Sequence, residues 1–180
     1  MTKKIKLNLG CYNRKIHGFV NIDIREDVAP DLVDDVFKLK KIKDGTVDLI
    51  YACHVLEHAD YKESAIALKR WFDVLKPGGT LRLAVPDMEA HFAHYYYHKD
   101  LTLLHSTFWG SQRHAYDYHK NGWDLKKIKN DLTNVGFRDI IRYDWRQTEH
   151  FYVDDYSQTY YPHMDKESGK WMSLNVEATK

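Results

Sequence analysis

The chain has 180 residues and a formal net charge of +1, with 43% hydrophobic and 29% charged residues. This balance excludes disordered and fibrous classes and suits one ordinary domain with a core of its own. No apolar run approaches the roughly 20 residues that cross a bilayer, Met1–Lys4 lacks the apolar stretch of a secretory signal, and no broad basic face points to nucleic acid. The two cysteines, Cys11 and Cys53, are too few for a disulfide framework, and a cytoplasmic protein is expected.

Ile5, Leu7 and Leu9 alternate and stop at Gly10, which predicts a short strand ending in a glycine turn. A second strand is expected over 19–24, an apolar pulse follows at Leu32-Val33, and Val47–Cys53 reads as a strand buried on both faces. The basic run Lys38–Lys43 is either a solvated face or an anion-binding edge. Asp60 opens a helix over 60–75, with Glu63 placed to complete a capping box and Ala65, Leu68, Phe72 and Leu75 on one face. Pro77-Gly78-Gly79 is read as its terminator, before a strand over 80–85. The company of His91, His94 and His98 suggests an amphipathic helix wall. A further helix runs from Leu125 to Val135, capped by Asp124, with Trp123 and Ile128 as a hydrophobic staple. Strands over 137–143 and 171–178 close the pattern, and alternating strands and helices indicate an α/β sheet. The long stretch 144–170 is expected to be a functional lid or an ordered loop.

Four segments, in order, resemble the class I S-adenosylmethionine-dependent methyltransferases: Leu7-Asn8-Leu9-Gly10-Cys11, Asn21-Ile22-Asp23-Ile24, Asp48–His58, and Leu75–Gly79 with Leu81–Val85. His119–Trp123 and Ser173–Ala178 are similar to a small bacterial and phage subgroup, of the type 11 kind. The resemblance implies a Rossmann-like three-layer sandwich: a mainly parallel sheet of about six or seven strands with an antiparallel last strand. It implies one domain over 1–180, with a cofactor-binding half over 5–87 and an acceptor-side half over 88–180. Its cofactor would be S-adenosyl-L-methionine, bound through Leu9, Gly10, Cys11, Tyr12, Asp23, Ile24, Asp35, Val36, Cys53 and His54. Tyr12 and Arg14 stand where later glycines of the family turn would be, and Asn8 replaces its usual acid. Gly10 and Asp23 are only thirteen residues apart, against roughly twenty in a dinucleotide-binding unit, so the first crossover must be short or irregular.

Residues at strand ends border the ligand crevice of an open parallel sheet. An ionised Asp23 can accept from two ribose hydroxyls; a strand-end cap is its structural alternative. Histidine is the natural base if the acceptor must lose a proton, which makes His54, His114 and His119 the catalytic candidates, each of which is equally readable as a packed or surface residue. His54-Val55-Leu56-Glu57-His58 also matches the inverted zinc-peptidase pattern H-x-x-E-H. That pattern requires both histidines on one helix face, whereas here they follow an apolar strand, so no metal is assigned and a zinc hydrolase ranks last. The expected reaction is methyl transfer to a small molecule or a saccharide. The competing reading is a non-catalytic module that binds S-adenosylmethionine or a partner.

Overall fold

The computed structural model describes residues 4–180. Its strands are β1 (Lys6–Leu9), β2 (Val20–Asp23), β3 (Leu32–Val33), β4 (Val47–Cys53), β5 (Leu75–Pro86), β6 (Arg138–Arg142), β7 (Tyr160–Tyr161), β8 (Lys170–Trp171) and β9 (Ser173–Thr179). Seven of them form one sheet in the order β3-β2-β1-β4-β5-β9-β6, while β7 and β8 pair as a separate short ribbon. The β1–β5 strands pair in parallel, and β9 is antiparallel to both β5 and β6. The architecture is therefore the Rossmann-like sheet expected, with seven strands and an antiparallel last one. β1 pairs with β2 on one side and β4 on the other, so the chain direction of growth reverses there, at the topological switch point where open sheets bind ligands.

The helices are α1 (Tyr61–Val74), α2 (Met88–His98), α3 (His105–Trp109) and α4 (Leu125–Val135). One face of the sheet packs Ile50, Ala52, Leu81 and Leu83 against Leu68 and Trp71 of α1 and Ile128 and Leu132 of α4. Fully burying side chains of this size contributes about 1.5–3 kcal/mol each, which is the main force holding α1 and α4 to the sheet. Trp71 is wholly buried, and its indole N–H donates to the Val36 carbonyl at 2.8 Å, tying the loop after β3 to α1. The Arg70 guanidinium donates to the carbonyls of Lys38, Leu39 and Ile42, closing the turn that carries the basic run.

The opposite face is covered differently. Leu49 and Tyr51 alternate with the residues above and pack on Ile16, Phe19 and Val153. The Tyr51 hydroxyl donates to Asp155 at 2.7 Å, and the His150 ring lies 4.2 Å from the Tyr51 ring. This layer is built from the irregular segment after β1 and from residues 145–158. Buried loop backbone needs hydrogen-bond partners; Asp144 and Asp155 cap short 3₁₀ turns at Trp145–Gln147 and Tyr156–Gln158, and the Gln158 amide donates to the carbonyls of Phe151 and Val153.

The main departure from the sequence reading is β5, which begins at Leu75 directly after α1. Its register to β4 slips between Val47 and Leu49. Pro77-Gly78-Gly79 forms this irregularity, since proline has no N–H for the ladder and Gly78 takes φ +77°. The capping box is present: Asp60 accepts from the N–H groups of Lys62 and Glu63, and Glu63 accepts from the Asp60 N–H. Asp60→Ala is expected to cost about 1 kcal/mol, visible as a melting temperature lower by about 2–4 °C; an unchanged thermal melt would show that the cap contributes nothing.

Candidate functional site

The carboxyl ends of β1 to β5 converge on one edge of the sheet. After β1, Gly10 turns with φ +62°, and a Cβ there would meet the Val55 side chain at 2.5 Å. Only glycine lets the β1 turn lie this close to the segment after β4. Asn8, in the position of the usual family acid, donates its amide to the Arg14 carbonyl and to Asn21, both at 2.9 Å. It thus organises the short crossover that replaces a helix. Cys11 is buried, its N–H donating to the Ile22 carbonyl; burial and the neighbouring Asp23 carboxylate push its thiol up to about 11, so it is not a nucleophile.

Asp23 closes β2 and is almost wholly buried. Its two carboxylate oxygens accept from the N–H groups of Tyr12 at 2.8 Å and Arg25 at 2.9 Å. Each oxygen retains a further lone-pair site. Tyr12 itself is in the left-handed region, φ +41°, with its ring exposed beneath the Arg25 guanidinium at 5.3 Å. Ile24 follows, more than a third exposed on the same rim. After β3, Asp34 is consumed internally, accepting from the N–H groups of Asp35 and Lys41. Asp35 stands further out, caps Phe37 and pairs with Lys38 at 2.6 Å, while Val36 is packed beneath it.

After β4, Cys53 is followed by His54 in the left-handed region, φ +50°, its N–H donating to the Ala84 carbonyl at 2.8 Å. A non-glycine residue held there is a constraint imposed by its surroundings. The His54 Nε2 lies 3.1 Å from the Ser173 hydroxyl, the Nδ1 is 3.3 Å from Glu57, and the ring is 5.5 Å from that of Tyr156. At the end of β5, Asp87 caps α2, is paired with Arg142 at 3.3 Å, and its carbonyl receives the His91 Nδ1–H at 2.7 Å. Burial holds His91 below the ordinary histidine value, so the ring is neutral near pH 7.

Of the other two predicted histidines, His119 stands beside Glu57 and His58, and His114 does not join them. The His119 ring packs edge-on against His58 at 4.9 Å between centroids, and its Nδ1 is 2.6 Å from the Thr107 carbonyl. His114 is exposed on the loop after α3, 6.3 Å from the Tyr116 ring. No local sequence signal points to Ser173, brought to His54 by the antiparallel β9, or to the approach of Tyr156 to the same ring. A charged hollow lined by Lys6, Asp48, Arg82, Glu149 and Glu177 lies at the opposite ends of the same strands, away from this edge.

A methyltransferase-domain family model matches residues 16–83, a span that begins beyond the Gly10 turn and includes Asp23, Asp35, His54–His58 and Pro77–Gly79. No curated protein matches the chain. The fold is similar to that of an S-adenosylmethionine-dependent methyltransferase from Archaeoglobus fulgidus, at 15% identity and a TM-score of 0.61 over 99% of this chain and 87% of that one. A methyltransferase of the same kind from Methanosarcina mazei gives 17% identity and a TM-score of 0.63 over 100% of this chain and 94% of that one. A Thermotoga maritima structure described as a possible histamine N-methyltransferase gives 14% and 0.62 over 100% and 84%.

Residues 16–83 match a methyltransferase-domain family, and the chain as a whole has the fold of S-adenosylmethionine-dependent methyltransferases.

The similar enzymes depend on S-adenosylmethionine, whose sulfonium supplies an electrophilic methyl group. No helix among the described residues is long and apolar enough to cross a membrane.

Proposed function

We propose that the chain methylates a small-molecule or saccharide acceptor that approaches over His54, with the cofactor lying along Gly10, Asp23 and Asp35. The placement of His54 carries this reading: a strained backbone and the Ser173 hydroxyl hold its ring at the end of β4, beside the turn that Gly10 forms. The residues suit the cofactor. Asp23 has lone pairs left for two ribose hydroxyls, Leu9, Cys11 and Tyr12 present the turn to the methionine end, and Ile24, Asp35 and Val36 border the adenine side. Cys53 supports His54 from the strand; burial and Asp155 hold its thiol far above its ordinary value, so it stays neutral.

His54 is the residue we assign to meet the acceptor, orienting it in line with the methyl group, since such positioning supplies much of the rate in group transfer. Exposed rings with polar tips, Tyr116, Tyr118, Tyr152 and Tyr156, give the acceptor side the amphipathic surface that sugars stack on. The free cysteines suit a reducing, cytoplasmic setting.

The test follows formation of S-adenosylhomocysteine with a panel of sugars, phenols and amines. With the acceptor that turns over, His54→Ala is expected to lower kcat by about 10²–10⁴-fold while cofactor affinity stays within about threefold. Turnover equal to wild type in that variant would remove His54 from the reaction. Turnover of nucleic acid in place of the panel would overturn the acceptor class.

A further inference from the structure

The segment His54–His58 holds a feature that cofactor binding does not use. Glu57 has no exposed surface, and among the described residues neither of its carboxylate oxygens meets a donor in hydrogen-bonding geometry. A desolvated carboxylate without donors is costly and calls for a compensating cation. Around it stand three imidazoles. One ligand atom each from Glu57, His58 and His119 lie within 4.8 Å of one another, and His54 Nδ1 is 3.3 Å from Glu57 on the other side.

The outer partners of the two histidines are of the kind that prepare metal ligands. His58 Nδ1 faces the Tyr118 carbonyl at 3.2 Å, and His119 Nδ1 faces the Thr107 carbonyl at 2.6 Å. A carbonyl only accepts, so each Nδ1 carries the proton and each Nε2 is left with its lone pair free. Two neutral imidazoles with one carboxylate are a borderline N/O set, the combination that zinc takes in three-ligand sites.

We propose that Glu57, His58 and His119 form a site for one divalent transition cation, zinc being the best match. The helix that the inverted zinc-peptidase pattern demands is absent. In its place a 3₁₀ turn at Leu56–His58 presents Glu57 and His58, and the third ligand comes from the acceptor-side loop. That loop is already laced to the turn: the N–H groups of Lys120 and Asn121 both donate to the Glu57 carbonyl, at 2.8 and 3.3 Å. The cation closes the same junction from the side-chain side, fixing the 105–121 segment beside the acceptor edge. This site stands independently of which acceptor is methylated.

The test titrates Zn²⁺ alone into tag-free protein freed of metal by a chelator, with elemental analysis of the protein as purified. One equivalent is expected to bind, with His58→Ala and His119→Ala each weakening it by about 100-fold or more, while the paired exchange of His94 and His98 for Ala leaves it unchanged. Co²⁺ in the same site is expected to give visible ligand-field bands that His119→Ala abolishes. Absence of a stoichiometric Zn²⁺ equivalent in wild type overturns the proposal, whatever the variants do. So does an equivalent that survives in His58→Ala and His119→Ala, or one that is lost with His94 and His98.

Discussion

Asp23→Ala is expected to weaken S-adenosylmethionine binding by about 10²–10⁴-fold, measured by calorimetric titration of the cofactor and of S-adenosylhomocysteine. Hydrogen bonds to a charged acceptor are worth about 1.5–3 kcal/mol each, and a ribose offers two hydroxyls to the two oxygens of this carboxylate. The variant also orphans the N–H groups of Tyr12 and Arg25, which Asp23 holds at 2.8 and 2.9 Å. Affinity therefore falls by two routes: the lost ribose contacts, and relaxation of the turn that Tyr12 holds in the left-handed region. Asp23→Asn is the milder test: its amide oxygen keeps one of the two N–H partners while its NH2 faces the other, so the loss is expected to be about 10–150-fold, about one charged hydrogen bond, with a melting temperature between those of wild type and Asp23→Ala. A folded Asp23→Ala protein that binds within threefold of wild type would show that the cofactor's ribose lies elsewhere.

The first half of the fold, from β1 to β5, was readable because its signals are local. The alternation of Ile5, Leu7 and Leu9 ends at a glycine that the structure shows to be required by the approach of Val55. The Asp60–Glu63 box and the Asp124 cap are complete within a few residues of chain, and both are formed. β5 was less legible because its start is decided by pairing with β4 rather than by its own residues: Pro77 and Gly78 interrupt the pattern yet sit inside the strand as an irregularity. The same reason hides the layer over Tyr51. Val153, His150 and Asp155 are not periodic and carry no cap signal for a helix. Their burial follows from a sheet face that the first crossover is too short to cover.

The second half of the chain shows the same limit in the candidate site. His54 and Glu57 are three residues apart, and their closeness can be read from spacing. The joining of Glu57 and His58 to His119, or of His54 to Ser173, depends on loops and an antiparallel strand that return from the far end of the chain. H-x-x-E-H is visible as a pattern, but spacing alone does not distinguish a helix from the 3₁₀ turn that Leu56–His58 forms.

The covering layer over Tyr51 also sets the stability of the protein in mild acid. His150 is 3% exposed, between Phe19 and Tyr51, with the Arg82 guanidinium 3.5 Å from its Nδ1. Burial, and then the Arg82 charge, lower its value from 6.5 to about 4, against the smaller opposing pull of Asp155 and Glu149; Lys6 adds to the lowering. Between those two values the unfolded chain binds a proton that the folded chain refuses. Stability is therefore complete above about pH 6.5 and is lost as the pH falls toward 4, by about 3 kcal/mol for a shift of this size. The adjoining Glu149, held at about 2 through its pair with Arg82, extends the loss to lower pH, since its contribution is present above the ordinary carboxylate range and disappears as it protonates. Urea unfolding at pH 7, 5.5 and 4.5 is expected to show wild type losing stability steeply across this range. His150→Gln, which keeps an acceptor for Arg82 but does not titrate, is expected to flatten that slope by most of His150's share, leaving the part due to other buried histidines such as His91 and the whole of the Glu149 limb below pH 4.5. Parallel slopes for the two proteins between pH 7 and 4.5 would mean that His150 takes up its proton as readily folded as unfolded, and that residues 145–158 open to water without unfolding the sheet they cover.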